Sequence, residues 1–185
     1  MTTGDGSDWS PVELALLERD PDDLLGECER QPFQASGAGG QKRNRTYSAV
    51  RLVHPSGYRA ECGEYREAAR NLSLALRRLR RQVALACART PLDDLMAHPD
   101  PVAVFMERTR EWPPFRFPVN EEHRDVPGFI ARVLILLRLF QARPGPVAEK
   151  LGASTSALVK FCKKDRDLWR VVQESRKRHE LSPLK

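Results

Sequence analysis

Residues 36–46 have the sequence Ser36-Gly37-Ala38-Gly39-Gly40-Gln41-Lys42-Arg43-Asn44-Arg45-Thr46, which is rich in glycine and then in basic residues. Glycine has no Cβ, so the paired glycines at 39 and 40 permit backbone torsions and close approaches that a side chain forbids. Taken alone, such glycines favour a flexible turn between strands. The neighbouring residues favour a specialised loop instead, because the stretch opens a basic segment of strand-like and then helix-like sequence.

An α+β unit is predicted around this loop. We expect an extended segment over 27–35 and a strand over 47–54, in which Val50 and Leu52 share one face. Residues 55–57, Pro-Ser-Gly, predict a hairpin turn into a second strand over 58–62. A long helix is expected over 66–88, with apolar residues at helical spacing: Ala69, Leu72, Leu76, Leu79 and Val83. Its opposite face is predicted to carry Arg70, Arg77, Arg78, Arg80 and Arg81.

Charge is divided unevenly along the chain. Residues 1–33 hold nine acidic and two basic residues, whereas residues 42–89 hold twelve Lys or Arg against three Glu. A concentration of cations suits a polyanion, since neutralised phosphates release their condensed counterions. The simpler alternative is a solvated helix face. Beside the glycine loop, we favour nucleic acid as the partner.

Length and composition exclude several classes of protein. With 185 residues and 41% hydrophobic content, the chain can bury one core or two small ones. Its four Cys form no CxxC pair and its four His are scattered, so we expect neither a metal site, a disulfide framework nor a cofactor. The first residues lack the features of a signal peptide, and the most apolar stretch, 133–140, is too short to span a bilayer. We therefore expect a soluble, cytoplasmic protein with no membrane partner.

The segments outside the α+β unit are predicted to be helical. Ser10 with Pro11, and Asp20 with Pro21, predict two helix starts near the N-terminus, each with a capping residue followed by Pro at the first helical position. Five prolines between 99 and 118 allow only short elements there. We therefore divide the chain into an acidic helical segment (1–26), the loop-bearing domain (27–90), a Pro-rich connection (91–124) and a helical C-terminal module (125–185).

The C-terminal module has the spacing of a helix-turn-helix. Asp125 is the expected cap of a helix through Phe140, residues 146–151 predict a second helix, and Ser154 caps a third. A final helix is expected over 167–179, with Trp169 in the core. The third helix carries cations that suit a phosphate backbone: Lys160, Lys163 and Lys164. A small helical bundle that binds nothing produces the same pattern, so both interpretations stay open.

The order of these features identifies a family. The loop is followed by Ser48 to His54, by the turn at 55–57, and by Cys62, Arg66 and Asn71 leading into the arginine-rich helix. This order resembles the catalytic domain of class I peptide chain release factors, over about residues 27–90. The resemblance implies hydrolysis of the ester that joins a nascent peptide to transfer RNA, in the peptidyl transferase centre of the ribosome. It assigns catalysis to Gly39, Gly40 and Gln41, with the backbone N–H of Gln41 stabilising the oxyanion.

The resemblance and the charge pattern together predict supporting residues. RNA contacts are expected from Lys42, Arg43, Arg45, Arg51, Arg66, Arg70, Arg77 and Arg81. Support of the loop is expected from Ser36, Gly37, Asn44, Thr46 and Asn71, and for Asn71 a structural role is favoured over RNA contact. The predicted partners are ribosomal RNA and peptidyl-transfer RNA, and the protein is expected to be a monomer.

Two departures from the family pattern refine the prediction. No segment corresponds to the codon-reading domain of full release factors, so we expect codon-independent action on stalled ribosomes. Lys42 and Arg43 replace the residues usual after the loop, which adds charge where RNA would lie. The alternative function is a non-catalytic RNA-binding or regulatory protein that works through the helix-turn-helix. The intact Gly39-Gly40-Gln41 sequence argues against it.

Overall fold

The computed structural model describes Trp9 and residues 11–33, 48–112 and 123–185. Within these ranges the chain is α+β, as predicted. Two units are formed, one by Arg19–Val83 and the other by the described residues of 1–18 and 84–185. The elements in chain order are α1 (Val12–Glu18), α2 (Pro21–Glu27), β1 (Glu29–Phe33), β2 (Ala49–Val53), β3 (Arg59–Cys62), α3 (Ala68–Ala86), α4 (Asp93–Met96), α5 (Pro101–Arg108), α6 (Val126–Leu139), α7 (Pro144–Lys150), α8 (Thr155–Lys164) and α9 (Arg166–Arg178).

The first unit is built on an antiparallel sheet of order β1-β2-β3. The turn between β2 and β3 is the predicted hairpin, in which the N–H of His54 donates to the carbonyl of Tyr58 over 2.8 Å. Gly57 has a φ of +91°, a torsion that glycine adopts without the penalty of a Cβ. On one face of the sheet, Leu52 and Ala60 pair across the strands and both are buried.

The entry into the sheet is held by a cap and a buried histidine. The Asp20 side chain accepts a hydrogen bond from the N–H of Asp22, and Pro21 occupies the first turn of α2, which confirms the predicted helix start. At the other end of α2, Glu27 contacts His54 Nε2 over 3.1 Å. The N–H of Ser56 donates to His54 Nδ1, so Nε2 is the nitrogen that carries the proton toward Glu27.

The buried face of the long helix α3 agrees with the prediction in part. Leu76, Leu79 and Val83 are buried as predicted, whereas Ala69 is exposed and Leu72 is only half-buried. Arg80, predicted to lie on the basic outer face, is only 5% exposed. The buried residues follow helical spacing and are Asn71, Ala75, Leu76, Leu79, Arg80, Val83, Ala84 and Cys87. The apolar pattern therefore missed the two polar members of this stripe.

The second unit is centred on α6, whose residues from Val126 to Leu137 are almost all buried. Helices α1, α5, α7 and α9 contact it. Phe129 meets Phe161 of α8 edge to face with ring centroids 4.9 Å apart. Trp9 makes a similar contact with Phe105 and donates from Nε1 to the carbonyl of Pro91 over 3.1 Å. This second core accounts for the apolar stretch that the sequence places near 133–140.

Helix starts in this unit follow the predicted caps in some cases and differ in others. Ser154 caps α8 by accepting from the N–H of Ala157. Asp125 precedes α6 but makes no capping hydrogen bond, because its carboxylate contacts His123 and Arg124 instead. Helix α7 begins at Pro144, two residues before the predicted start, and α9 at Arg166, one residue early. Ser10 lies outside the described residues, and α1 begins at Val12, one residue after Pro11.

The chain end is held against α9. The Gln173 side chain exchanges hydrogen bonds with the backbone N–H and carbonyl of Leu184. Arg176 donates to the carbonyls of Ser182 and Ala142, which ties α9 to the turn before α7. In the part of the chain that the structure describes, no helix combines the length and apolar character needed to cross a bilayer.

Candidate functional site

The predicted catalytic residues Gly39, Gly40 and Gln41 lie outside the described residues. So do the predicted RNA-contact residues Lys42, Arg43 and Arg45 and the loop-support residues Ser36, Gly37, Asn44 and Thr46. The described residues that flank this segment (residues 34–47) lie on β1 and β2 and on the approach to α3.

The two ends of the segment are brought together by the sheet. Phe33, the last residue of β1, is paired with Ala49, the first residue of β2. The chain thus leaves the sheet and re-enters it at neighbouring positions of an antiparallel ladder. Ser48, directly before β2, donates from its hydroxyl to the carbonyl of Tyr65 over 3.2 Å. The sequence predicted strands on both sides of the segment, and the register shows that these strands are partners.

Asn71 holds the returning end of the segment from behind. Its Nδ2 donates to the carbonyls of Ser48 and Tyr65 over 2.7 and 2.8 Å. Its Oδ1 accepts from the N–H of Tyr65 over 2.9 Å and from the thiol of Cys62 over 3.3 Å. The side chain is fully buried and uses both amide groups. These contacts support the structural role predicted for Asn71.

The predicted cations of the framing elements have different surroundings. Arg66 is exposed at the approach to α3. Arg70 is exposed too, and its guanidinium lies 3.6 Å from the centroid of the Tyr65 ring, a cation–π contact. Arg77 and Arg81 are half-buried on α3. The structure therefore leaves Arg66 and Arg70 accessible close to the end of the glycine segment.

Acidic residues of the first unit form ion pairs with two of its other arginines, Arg51 and Arg78. Arg51 Nε lies 2.6 Å from Glu61 Oε1 on the neighbouring strand, where the two residues are paired in register. Arg78 pairs with Glu64 and donates to the carbonyl of Glu61 over 2.9 Å. Both pairs are exposed enough to be weak. Of the two, only Arg51 was predicted to contact RNA, and its charge is partly balanced by Glu61.

Two residues of the frame were missed from the sequence. Ser48 and Tyr65 meet at the base of the segment through the Ser48 hydroxyl and the Tyr65 carbonyl, and Asn71 binds the backbone carbonyls of both. Every residue type carries the same carbonyl, so no residue-type signal marks such a contact. Cys62 was noted as part of the family pattern, and its role as a donor to Asn71 became visible only in the structure.

Burial keeps three of the four thiols protonated. Burial raises the pKa of the Cys87 and Cys162 thiols to about 12, and it also raises the pKa of Cys28. All these thiols stay protonated near neutral pH and are poor nucleophiles. Among the described residues, no cluster of three or more His, Cys, Asp or Glu is arranged to hold a metal ion.

Comparison with known proteins identifies the first unit. Residues 25–92 match the family model described as RF-1 domain. Peptide chain release factor 1 of Streptococcus thermophilus is 34% identical over 116 residues, which are 61% of this chain and 31% of that protein. The mitochondrial peptide chain release factor 1-like protein of Rattus norvegicus is 45% identical over 71 residues, which are 38% of this chain and 18% of that protein.

The extent of these matches is limited. The match to the Streptococcus protein spans about a third of that protein's length, at 31%. No solved structure gives a significant match to the chain. The resemblance predicted from the sequence is confirmed for residues 25–92, which match the RF-1 domain model.

Proposed function

We propose that the protein hydrolyses the ester of peptidyl-transfer RNA on stalled ribosomes, without reading a codon. The observation that carries the proposal is the frame around the Gly-Gly-Gln segment within the RF-1 domain. Phe33 and Ala49 pair at its two ends, and buried Asn71 fastens Ser48 to Tyr65 behind it. A loop anchored at both ends can be presented to a substrate from a rigid base.

The proposed chemistry needs one donor from the protein. Water attacks the ester carbonyl, negative charge develops on its oxygen, and the backbone N–H of Gln41 stabilises that charge. The bond to the 3′ oxygen of the terminal adenosine then breaks, which yields a peptide with a free carboxyl group and a deacylated transfer RNA. One oxyanion donor contributes about 3 kcal/mol. The Gln41 side chain does not titrate, so we assign it to orienting water and excluding larger nucleophiles.

Binding to the ribosome is proposed to depend on cations around the loop. Arg66 and Arg70 are the accessible members, while Arg77 and Arg81 lie along α3. Lys42, Arg43, Arg45 and Arg51 complete the set proposed from the sequence. Arginine suits this task because its planar guanidinium can contact phosphate oxygens in pairs. The partners are ribosomal RNA and peptidyl-transfer RNA, and we place the protein in the cytoplasm as a monomer.

The test is release of labelled peptide from purified ribosomes. Three complexes are compared, with a truncated messenger, a sense codon or a stop codon in the A site. Codon-independent action predicts release from the truncated complex and no dependence of its rate on which codon is supplied. A protein that only binds RNA would bind these ribosomes and leave the ester intact, and that result would refute the proposal.

Loop variants test the assigned donor. Gly40→Ala is expected to lower release about a hundredfold, because a Cβ displaces the backbone N–H that contributes about 3 kcal/mol. Gln41→Ala keeps that N–H and is expected to lose less than tenfold. Ser73→Ala, on the exposed side of α3, is the matched control and is expected to leave release unchanged. Equal or reversed losses in the two loop variants would contradict the role of the Gln41 amide.

A further inference from the structure

The C-terminal helices carry a surplus of positive charge that the RF-1 domain does not explain. Residues 143–178 hold ten Lys or Arg and four Asp or Glu, a difference of six. This region lies entirely in the second unit, outside the matched residues 25–92. A surplus of this kind repels itself in the folded state.

The orientation of α8 exposes its three lysines, Lys160, Lys163 and Lys164. Leu158, Phe161 and Cys162 are buried, and Phe161 packs against Phe129 of α6. Lys160 and Lys163 consequently lie on the solvent side of α8, one turn apart, and both are exposed.

An aromatic side chain lies beside these lysines. Trp169 of α9 is half-buried, not a full member of the core as the sequence suggested. The Lys163 ammonium lies 5.5 Å from the centroid of its ring. Arg166 precedes Trp169 by one turn of the same helix and is exposed. Lys160, Lys163, Arg166 and Trp169 together are called the Trp169 surface below.

The Trp169 surface differs from its surroundings in charge compensation. Arg170, the next cation on α9, pairs with Asp167 and with Glu174 over 3.9 and 3.3 Å. Within the ranges that the structure describes, Lys160, Lys163 and Arg166 make no ion pair. Lys163 therefore lies beside the aromatic ring, and the other two cations, Lys160 and Arg166, are exposed on the same pair of helices without an ion pair.

We propose that the Trp169 surface binds single-stranded RNA, with Trp169 stacking on an unpaired base and Lys160, Lys163 and Arg166 contacting phosphates. Base stacking on an aromatic ring beside a cationic track is the usual way in which proteins bind single strands. A duplex keeps its bases stacked internally and offers Trp169 no partner. An acidic protein would pair with the cations but would not need the ring. The inference does not depend on the proposed hydrolysis.

The experiment measures binding of a fluorescently labelled twelve-nucleotide single-stranded RNA to the full-length protein by anisotropy, over a series of salt concentrations. The same sequence as an RNA duplex and an acidic peptide of equal charge are the competitors. The proposal predicts that unlabelled single strand competes at least tenfold better than either. Preference for the duplex or for the acidic peptide would overturn it.

Variants separate the two parts of the surface. Lys160→Ala with Lys163→Ala is expected to weaken binding about tenfold and to lower the salt slope by about 1.4, at about 0.7 per phosphate lost from a single strand. The charge-matched control is Lys150→Ala with Lys177→Ala, two exposed lysines outside the surface, and it is expected to leave the single-strand affinity within twofold. If both double variants lost the same affinity, binding would depend on the overall charge and not on the Trp169 surface, which would contradict the proposal.

The ring is tested by Trp169→Leu, which keeps an apolar side chain but cannot stack. It is expected to weaken binding about tenfold with no change in the salt slope, since stacking on one base is worth about 1–3 kcal/mol. Circular dichroism checks that this variant folds, and the exposed lysine variants test the surface independently of it. Unchanged affinity in a folded Trp169→Leu variant would refute the role of the ring. Failure of peptide release with this binding intact would count against the hydrolase alone.

Discussion

Asn71→Ala is expected to loosen the frame of the Gly-Gly-Gln segment. The substitution deprives the carbonyl of Ser48 and the N–H of Tyr65 of their partner, leaves the carbonyl of Tyr65 with the Ser48 hydroxyl alone, and removes the acceptor of the Cys62 thiol. At about 1.5 kcal/mol for each of the two backbone groups left without a partner, the first unit loses about 3 kcal/mol of stability. This is a substantial fraction of the 5–15 kcal/mol that is typical of a whole domain.

The measurement is amide hydrogen exchange of the full-length protein, read by mass spectrometry of peptides. Local stability is resolved by this method, which suits a chain with two units. We expect peptides over β2 and β3 to exchange about a hundredfold faster, while peptides over α6, in the other unit, stay unchanged. Ser73→Ala, on the exposed side of α3, is the control and is expected to change protection by less than threefold. A change below threefold in Asn71→Ala would refute the reasoning.

Asn71→Asp sharpens the same test through its pH dependence. One carboxylate oxygen would replace the Nδ2 group that donates to the carbonyls of Ser48 and Tyr65, so the ionised form is repelled in the folded state. The folded-state pKa of the new carboxyl is therefore raised above its unfolded value of about 3.9. The protonated form is tolerated below that unfolded value, and stability is lost as pH rises through the raised folded pKa. Protection of the β2 and β3 amides from hydrogen exchange in Asn71→Asp is expected to fall, relative to Asn71→Ala, between about pH 4 and 7. If Asn71→Asp kept the protection of the wild-type protein at pH 7, the donors of the Asn71 amide would be dispensable.

Three further outcomes are expected. Arg77→Glu with Arg81→Glu weakens ribosome binding and lowers its salt slope, measured by sedimentation at several ionic strengths; unchanged binding would mean that this side of α3 is merely solvated. The Cys162 thiol, with its pKa raised to about 12 by burial, resists alkylation at pH 8 until urea is added, and rapid native labelling would contradict its burial. In urea unfolding, Gly26→Ala in α2 is expected to raise the free energy of unfolding by about 0.5 kcal/mol, because nothing lies within 4 Å of its new Cβ. Gly152→Ala, at a φ of +65°, is expected to lower it by about 1 kcal/mol. Effects of the same sign in the two variants would contradict the torsion argument.

Much of the fold could be predicted from interactions between residues that are close together in the sequence. The cap at Asp20, the hairpin turn at Gly57 and the cap at Ser154 depend on residues a few positions apart, so their physics is already present in the chain. The RF-1 domain was recognisable for the same reason, because its pattern is continuous over one segment.

The burial of Arg80 and the hydrogen-bond partners of Asn71 could not be found in this way. The apolar periodicity of α3 indicated a face that runs from Ala69 to Val83, yet the buried stripe also includes the polar residues Asn71 and Arg80. A buried amide is favourable only when its donors and acceptor are satisfied. Here the partners are Ser48 and Tyr65, and only the folded backbone brings their carbonyls to the amide.

The order of residues along the chain was thus enough to indicate the resemblance to the RF-1 domain and its strands, turn and long helix, because those signals act over short separations. Tertiary structure alone decided that Asn71 and Arg80 lie on the buried side of α3 and how Ser48 is fastened. It also decided that Trp169 stays half-exposed beside Lys163. These features depend on contacts between distant segments, whose energies are settled only when all the partners are in place.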